Sequence, residues 1–491
     1  EARAKIRLPP GGVVSRLTLW IDGEEREAAY GRREQVKAAY EKVVQQRRDP
    51  VLVSTSGRDE VMMQCFPVPP NGGAMKVKVG ITAPLALASK EEGLLRLPFF
   101  VERNFGISEP GGHDLALRGD SPLALPGRAQ SRVPDSGSGT ALKTGLTRDD
   151  ISGPVAVRVS RDPAARRAWT EAGADDPGRV IEQTLVEKPE HAARHVVVVM
   201  DGSLRMDPYR ETMARAVAGL PQELLLSVII AGDEVVELCR SQPASRETLE
   251  KVARQIAAFP FEGGGDSAPA LRQALAAAGG SSNAAAVVWL CAAQPAALSD
   301  MRWVAQEWKR PPAGPEVYAL QLAAGPNAVS RELEALPFAH VIPSFGDAEQ
   351  DLRRLLTGLT QAGMQPGFER SRIPATGATE TGTHASSHLA RLWAAGEISR
   401  LAETGAPADR EEAIRLAAAR RLVTPVSAAV VLESVQQYKD ANLQPVDPDS
   451  MPSTTTTVPE PETWLLIAVG VLLLLSTHAR RRIRPQPATA E

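Results

Sequence analysis

Short apolar runs alternate with amphipathic segments between residues 195 and 360. The apolar runs occupy 196–200, 224–230, 284–290 and 317–322. The segments with helical spacing occupy 208–220, 246–259, 268–278, 301–309 and 348–359. Because this alternation is typical of a parallel sheet covered on both faces, it predicts an α/β domain with a Rossmann-like parallel sheet over residues 191–362. A ligand site is then expected at the carboxyl ends of the strands.

The regions on either side of this domain make the chain of 491 residues multidomain. Residues 1–100 show strand periodicity at 12–21 and 76–82 and helical spacing at 35–47, which predicts a β-rich domain with one helix. Residues 101–190 form a β-rich intermediate region, with strands expected at 155–159 and 180–186. Residues 363–445 are expected to be helical. Their expected elements are a Gly/Thr/Ser-rich break at 363–387, helices at 389–402 and 410–421 and a strand at 427–432.

Charge and cysteine content exclude several classes of protein. The chain has 56 basic and 59 acidic residues, a net charge of −3, which argues against a nucleic-acid partner bound through a basic surface. Three scattered cysteines, Cys65, Cys239 and Cys291, form neither a disulfide framework nor a zinc site. We expect them to be small buried hydrophobic residues.

The C-terminal segment has the features of a membrane span. Residues 446–462 are rich in Pro and Thr and are expected to form an extended stalk. The apolar run 464–475 and the uncharged residues up to 479 precede Arg480, Arg481, Arg482 and Arg484. The positive-inside rule then predicts a single-pass helix within 463–484, with the main body outside the cytoplasm, in the periplasm or at the cell surface. The alternative is a buried core helix.

The run 196–200 is followed by Asp201, Ser203 and Arg205. A strand, then Asp-x-Ser-x-Ser, then a helix opens a von Willebrand factor A domain, and residues 195–360 resemble one. In that family, this Asp, the two Ser, a Thr from a Gly-Gly-Thr-Asp-like loop and an Asp after a later strand bind one divalent cation. The resemblance therefore implies an adhesion site for a hard ion such as Mg²⁺.

Three of the five implied ligands are replaced in this chain. Arg205 stands at the second Ser, Gly265, before Asp266, stands at the Thr, and Ala292 stands at the later Asp. This degenerate site argues against bound Mg²⁺, and no cofactor is expected. An ion pair between Asp201 and Arg205 is expected to fill the vacated position.

Five blocks near the N-terminus resemble a VIT domain, the vault/inter-alpha-trypsin module. They are Leu8 to Ser15, Trp20 to Gly23, Ala38 to Glu41, Arg47 to Pro50 and Phe66 to Pro70. This module commonly precedes a von Willebrand A domain, and the order here agrees. The family's first strands lie before the first block, which implies that residues 1–100 are an N-terminally truncated copy.

Pro459, Glu460 and Pro461, followed by the apolar run and by Arg480, Arg481 and Arg482, resemble the PEP-CTERM sorting signal of Gram-negative bacteria. The resemblance implies recognition and processing by an exosortase, a membrane protease. The alternative is an ordinary tail anchor.

Together these features predict a non-enzymatic, adhesion-type protein of the bacterial cell envelope. Its expected partners are a protein or the extracellular matrix, the exosortase and the membrane. Neither module implies catalysis, Ser203 has no neighbouring base, and no phosphate-binding loop with its lysine is present. A permanently anchored scaffold and, less favoured, an envelope hydrolase are the alternatives.

Overall fold

The computed structural model describes residues 1–21, 23–45, 50–68, 74–107, 112–127, 131–133, 140–190, 192–279, 285–299, 303, 315–375 and 382–446. Residues Glu1–Pro445 form one compact unit and Val446–Glu491 a second. The predicted stalk, sorting motif, membrane helix and arginine cluster lie outside the described residues, apart from Val446. Of the helix predicted at 301–309, only Trp303 is described, and it is helical.

The N-terminal region forms a sheet that a distant strand completes. With strands numbered along the chain, the order in this sheet is β10 (Phe99–Arg103), β1 (Ala2–Arg7), β6 (Glu60–Cys65), β5 (Val51–Gly57), β26 (Ser427–Val431) and β4 (Ala29–Arg32). Strand β26 pairs antiparallel with both β4 and β5. The predicted strand at 427–432 is therefore a buried inner strand of the N-terminal sheet and not part of a separate C-terminal region.

Helix α1 (Arg33–Gln45) covers one face of this sheet. Its buried side chains Val36, Tyr40 and Val43 pack in one cluster with Val430 of β26. A smaller sheet contains β3 (Glu24–Glu27), β2 (Val13–Ile21) and β7 (Val77–Thr82). The expected β-rich N-terminal region with a helix is present.

The α/β domain has the predicted layered architecture. Its sheet has the order β20 (Val235–Pro243), β19 (Leu225–Ala231), β18 (His195–Asp201), β21 (Ala285–Cys291), β22 (Glu316–Gln321) and β23 (Ala339–Ile342). Strands β18, β19, β21, β22 and β23 are parallel, but β20 runs antiparallel to β19. The four strands predicted from the sequence are thus parallel, and the additional edge strand β20, joined to β19 by a short hairpin turn, is antiparallel.

Helices cover both faces of this sheet. They are α2 (Arg210–Ala218), α3 (Arg246–Ala258), α4 (Ser267–Ala278), α5 (Ala328–Leu333) and α6 (Ala348–Thr360). Val196 and Val198 of β18 pack with the cluster that contains α2, α3 and α6, whereas Val197 and Val199 pack with the cluster that contains α4 and α5. The alternation of side chains along the central strand therefore buries both faces.

Strands of the intermediate residues take part in three further sheets, two of which also contain strands from 86–96 or from 363–384. Their strand orders are β11 (His113–Gly119), β14 (Thr140–Leu146) and β13 (Ser131–Val133); β12 (Leu123–Ala124), β15 (Ala156–Ser160), β9 (Glu92–Arg96) and β8 (Ala86–Leu87); and β24 (Gly363–Pro374), β17 (Arg179–Glu190), β16 (Arg167–Glu171) and β25 (Thr383–His384). Strand β24 pairs with β17 over twelve residues. The break predicted at 363–387 is therefore wrong for its first half.

Three helices complete the C-terminal part of the described chain: α7 (His388–Glu403), α8 (Pro407–Arg420) and α9 (Val435–Asp440). Helices α7 and α8 pack together around Ala394, Ile398 and Ala417, with Val13 of β2 in the same cluster. All three cysteines are free and buried, as expected. Within the described residues, no helix is both long and apolar enough to cross a membrane.

Candidate functional site

Asp201 ends the central strand β18, at the carboxyl edge of the sheet. Its side chain is buried, with 1% of the residue exposed. The Oδ1 atom accepts the backbone N–H of Ser203 at 2.9 Å, and Oδ2 accepts the backbone N–H of Ala292 at 3.1 Å. This carboxylate therefore joins the loops that follow β18 and β21, and each of its oxygens already has a donor.

Ser203 and Arg205 lie in the first of these loops. Ser203 is buried and precedes a 3₁₀ helix, Leu204–Tyr209, without donating or accepting a side-chain capping bond. Arg205 is exposed, and its Nη1 lies 3.5 Å from the point where a Cβ on Gly325 would stand.

The expected ion pair between Asp201 and Arg205 is absent from the described contacts, and that prediction is wrong. The physical reason is that the backbone already satisfies the buried carboxylate, while the guanidinium keeps its hydration at the surface.

The loop before α4 packs directly on the Asp201 carboxylate. A Cβ on Gly265 would lie 3.2 Å from Asp201 Oδ1 and 3.1 Å from the carbonyl oxygen of Ala231. Asp266 caps α4, since its Oδ1 accepts the N–H of Ala268 at 3.1 Å. The loop thus brings position 265 to the place that the resemblance implies, but without a side-chain oxygen.

Ala292 occupies the position implied for the second carboxylate and is completely buried. Its carbonyl oxygen accepts the Nδ2–H of Asn327 at 3.0 Å, and Asn327 Oδ1 caps α5 through the N–H of Ser330 at 2.8 Å. Sequence reasoning missed Asn327. The signal was available, because Asn directly before a helical segment is a preferred N-cap residue.

The assembled residues do not fit a divalent cation. Mg²⁺ requires near-octahedral oxygen coordination. Positions 205, 265 and 292 contribute no side-chain oxygen, which leaves only Asp201 and Ser203 of the five implied ligands. No group of three or more His, Cys, Asp or Glu side chains that could hold a metal occurs among the described residues. Protein hydrogen bonds therefore hold the Asp201 carboxylate at the carboxyl end of β18.

A serine–histidine contact does occur, but it lies inside the fold. His195 Nε2 is 3.1 Å from Ser227 Oγ, and each residue is 1% exposed. Ser227 Oγ also accepts the N–H of Ser241 at 2.8 Å. Burial lowers the pKa of His195. A substrate cannot reach this pair, so the contact joins strands β18 and β19 and gives no support to hydrolase chemistry.

Comparison with known proteins identifies two modules. The vault protein inter-alpha-trypsin domain model matches residues 1–82, and the von Willebrand factor type A domain model matches residues 194–309. The resemblances to a VIT domain and to a von Willebrand A domain are confirmed. No curated protein matches the chain.

Three solved structures are similar to parts of this chain. Manganese-loaded TRAP from Plasmodium vivax is 15% identical, with 38% of this chain and 81% of that chain covered and a TM-score of 0.27. A von Willebrand factor type A protein from Catenulispora acidiphila is 10% identical, with 52% and 83% covered and a TM-score of 0.32. The pilus adhesin SpaC from Lactobacillus rhamnosus GG is 12% identical, with 38% and 33% covered and a TM-score of 0.27.

The two family matches agree in position with the β-rich N-terminal sheet and with the sheet that carries Asp201. The chain therefore contains a vault protein inter-alpha-trypsin domain followed by a von Willebrand factor type A domain.

Proposed function

We propose that this protein is a non-enzymatic, adhesion-type binding protein of a bacterial cell envelope that captures a protein or matrix partner without a metal ion. One observation carries the proposal: the von Willebrand A module is present, but three of the five implied cation ligands are replaced and backbone N–H groups of Ser203 and Ala292 bind the Asp201 carboxylate. A carboxylate of a partner protein then finds no metal ion whose coordination shell it could complete. Recognition must instead use contact area, hydrogen bonds and charges at the rim.

Arg205 is the charge best placed to take part in that recognition. It is exposed at the carboxyl edge of the sheet, beside the loop that contains Gly325. A guanidinium at this place offers paired N–H donors to an acidic group of a partner. The proposed partner surface is therefore acidic at its point of contact with this edge.

Export and tethering are part of the same proposal. Residues 446–462 would form the stalk, and 463–484 would form a single-pass sorting helix with Arg480, Arg481 and Arg482 in the cytoplasm. Pro459, Glu460 and Pro461 would be read by an exosortase-type protease. The support for this proposal is the order of motif, apolar run and arginines in the sequence.

Capture from envelope fractions tests the binding proposal. Intact tagged protein is used in 1 mM Mg²⁺ and in EDTA, with Arg205→Glu as the test variant and Arg215→Glu, an exposed arginine on α2, as its matched control. We expect one partner to be retained equally with and without Mg²⁺ and to be lost only with Arg205→Glu. Capture that requires Mg²⁺, or an Arg205 variant that captures as well as the control, would refute the proposal.

Alanine substitution of Pro459 and Pro461 tests the sorting proposal separately. We expect the variant to retain a C-terminal tag and to stay in the inner membrane, whereas the unchanged chain loses the tag. An unchanged size and location of both proteins would instead indicate a permanently anchored scaffold.

A further inference from the structure

A cavity lies where the N-terminal sheet meets the α/β domain, apart from the Asp201 carboxylate. Its volume is about 240 Å³. Its lining includes Arg58 and Asp59 from the β5–β6 turn, and Gln321 and Ile342 from the α/β domain. These two residues end β22 and β23, so the cavity opens at the carboxyl ends of parallel strands, where such sheets bind ligands.

Arg96 of β9 lines this cavity and is 6% exposed. Its Nη2 donates to the carbonyl oxygen of Leu8 at 2.5 Å, and its Nη1 donates to that of Ser344 at 3.4 Å. The Nε–H is buried and has no acceptor. In the described part of the chain, no carboxylate lies within 4.0 Å of this guanidinium, so it has no contact ion pair. Asp59 and Asp351 attract it from a greater distance, and its Cζ lies 5.7 Å from the centre of the Phe99 ring.

An unpaired buried guanidinium is costly to keep. Burial lowers the pKa of Arg96 to about 10, which leaves the group charged at neutral pH. An anion in the adjoining cavity would offset this cost, because it would pair with the buried guanidinium. Arg58, exposed at the rim of the same cavity, adds a second positive charge.

The acidic groups of the cavity limit the charge of that anion. Asp59 Oδ1 accepts the N–H of Gly11 at 2.9 Å, and Glu334 lies 3.9 Å from Arg7. Burial raises the pKa of both carboxyls. A doubly charged phosphate would be repelled by these carboxylates. The lining carries three arginines, Arg7, Arg58 and Arg96, against these two carboxyl groups, so the single charge of a monocarboxylate matches the balance.

The remaining walls set the size and polarity of the ligand. Phe99 and Val341 give the cavity an apolar side. Its volume corresponds to about eight waters. We propose that this junction cavity binds a small monocarboxylate, whose carboxylate pairs with Arg96 and Arg58 while a short apolar body lies against Phe99 and Val341. The site does not depend on the proposed surface function, because it needs neither a tether nor a protein partner.

Calorimetric titration of the full chain in detergent with sodium valerate tests this proposal. We expect saturable binding, at least tenfold weaker binding of the neutral isostere valeramide, and no saturable binding of inorganic phosphate. Arg96→Met should weaken valerate binding at least tenfold. Because that variant also loses two hydrogen bonds, Ala324→Phe provides a second test, since Ala324 lines the cavity and its enlargement fills it. Arg215→Met, an exposed arginine outside the cavity, is the matched control.

Several results would overturn the proposal: no saturable heat with valerate, equal binding of valerate and valeramide, phosphate that binds as tightly as valerate, or full affinity in Ala324→Phe. The peptide acetyl-Gly-Gly-Val distinguishes the two sources of a carboxylate. Tighter binding of the peptide than of valerate supports a site for a peptide C-terminus. Weaker binding supports a site for a free short-chain acid.

Discussion

Truncation of Val430 to alanine tests whether a C-terminal strand holds the N-terminal sheet together. Val430 is completely buried in β26, opposite Ala29 of β4 and Leu52 of β5. Its side chain packs in the cluster under α1 that includes Val36 and Tyr40. The substitution leaves the backbone pairing intact and removes only two methyl groups from the sheet's core.

The magnitude follows from that burial. Two buried methyl groups are worth roughly 1.6 kcal/mol of transfer free energy, and the cavity left behind raises the loss of stability to about 2–3 kcal/mol. Since every 1.4 kcal/mol is about tenfold in an equilibrium constant, the opening equilibrium should rise roughly 30- to 150-fold. Hydrogen exchange reports such openings in each region separately.

We expect faster exchange in peptides from β4, β5 and β26 together, and unchanged exchange in β18 and β21. The matched control is Val288→Ala, because Val288 is equally buried on β21 of the α/β sheet. That variant should show the opposite pattern. If the Val430 variant exchanges faster only within residues 422–432, the N-terminal sheet does not depend on the C-terminal strand and the reasoning is refuted.

Two further substitutions follow from buried polar groups. Ser427 Oγ accepts the N–H of Thr424 at 3.0 Å and donates to the carbonyl oxygen of Leu422 at 2.7 Å, so Ser427→Ala leaves both groups unsatisfied and should cost about 2–4 kcal/mol in urea unfolding. The exposed Ser399→Ala should change the unfolding free energy by less than about 0.5 kcal/mol, and equal effects would contradict this explanation. Because burial lowers the pKa of His195, the unfolded chain binds the proton more readily, and stability should fall as pH drops below about 6.5. His195→Gln should reduce the slope of the unfolding free energy against pH by up to about 1.4 kcal/mol per pH unit. Urea unfolding at pH 7.5, 6.0 and 5.0 measures this slope, and an equal slope in the variant and the unchanged chain would refute the explanation.

The α/β domain was predictable because buried parallel strands are continuous apolar runs. Residues 196–200 and 284–290 carry that signal without interruption, and they form β18 and β21 within one residue of the prediction. Their periodicity is local, so no distant residue is needed to recognise it. The edge strand β20 was not predicted, because it is largely exposed and its alternation of apolar and polar residues is weaker. Its antiparallel direction depends on the short turn after β19.

Strand β24 could not be found from local pattern. Its residues are exposed or half-buried and include proline and glycine, and its partner β17 lies far away along the chain. The same reason applies to β26, which was predicted as a strand but not as a member of the N-terminal sheet. Pairing between distant segments leaves no local signature.

At the candidate site, the strand ending at Asp201 and the loop positions 265 and 292 were predictable from motif spacing. The hydrogen-bond partners of the Asp201 carboxylate were not predictable, because they are backbone N–H groups, which almost any residue type supplies. The side chains alone therefore favoured Arg205 as the ion-pair partner of Asp201, whereas in the structure the Arg205 guanidinium is exposed to solvent. The junction cavity around Arg96 joins segments that are distant in sequence, so it too became visible only in the fold.

The central claim is that partner capture at the Asp201 edge is independent of a metal, and titration of Mg²⁺ and Mn²⁺ tests it most directly. The matched positive control is the variant Arg205→Ser, Gly265→Thr, Ala292→Asp, which restores the missing oxygen ligands. We predict no saturable binding to the unchanged chain up to 10 mM ion, the order of concentration that covers weak extracellular sites, and measurable binding to the restored variant. Saturable sub-millimolar binding to the unchanged chain that Asp201→Ala abolishes would contradict the account.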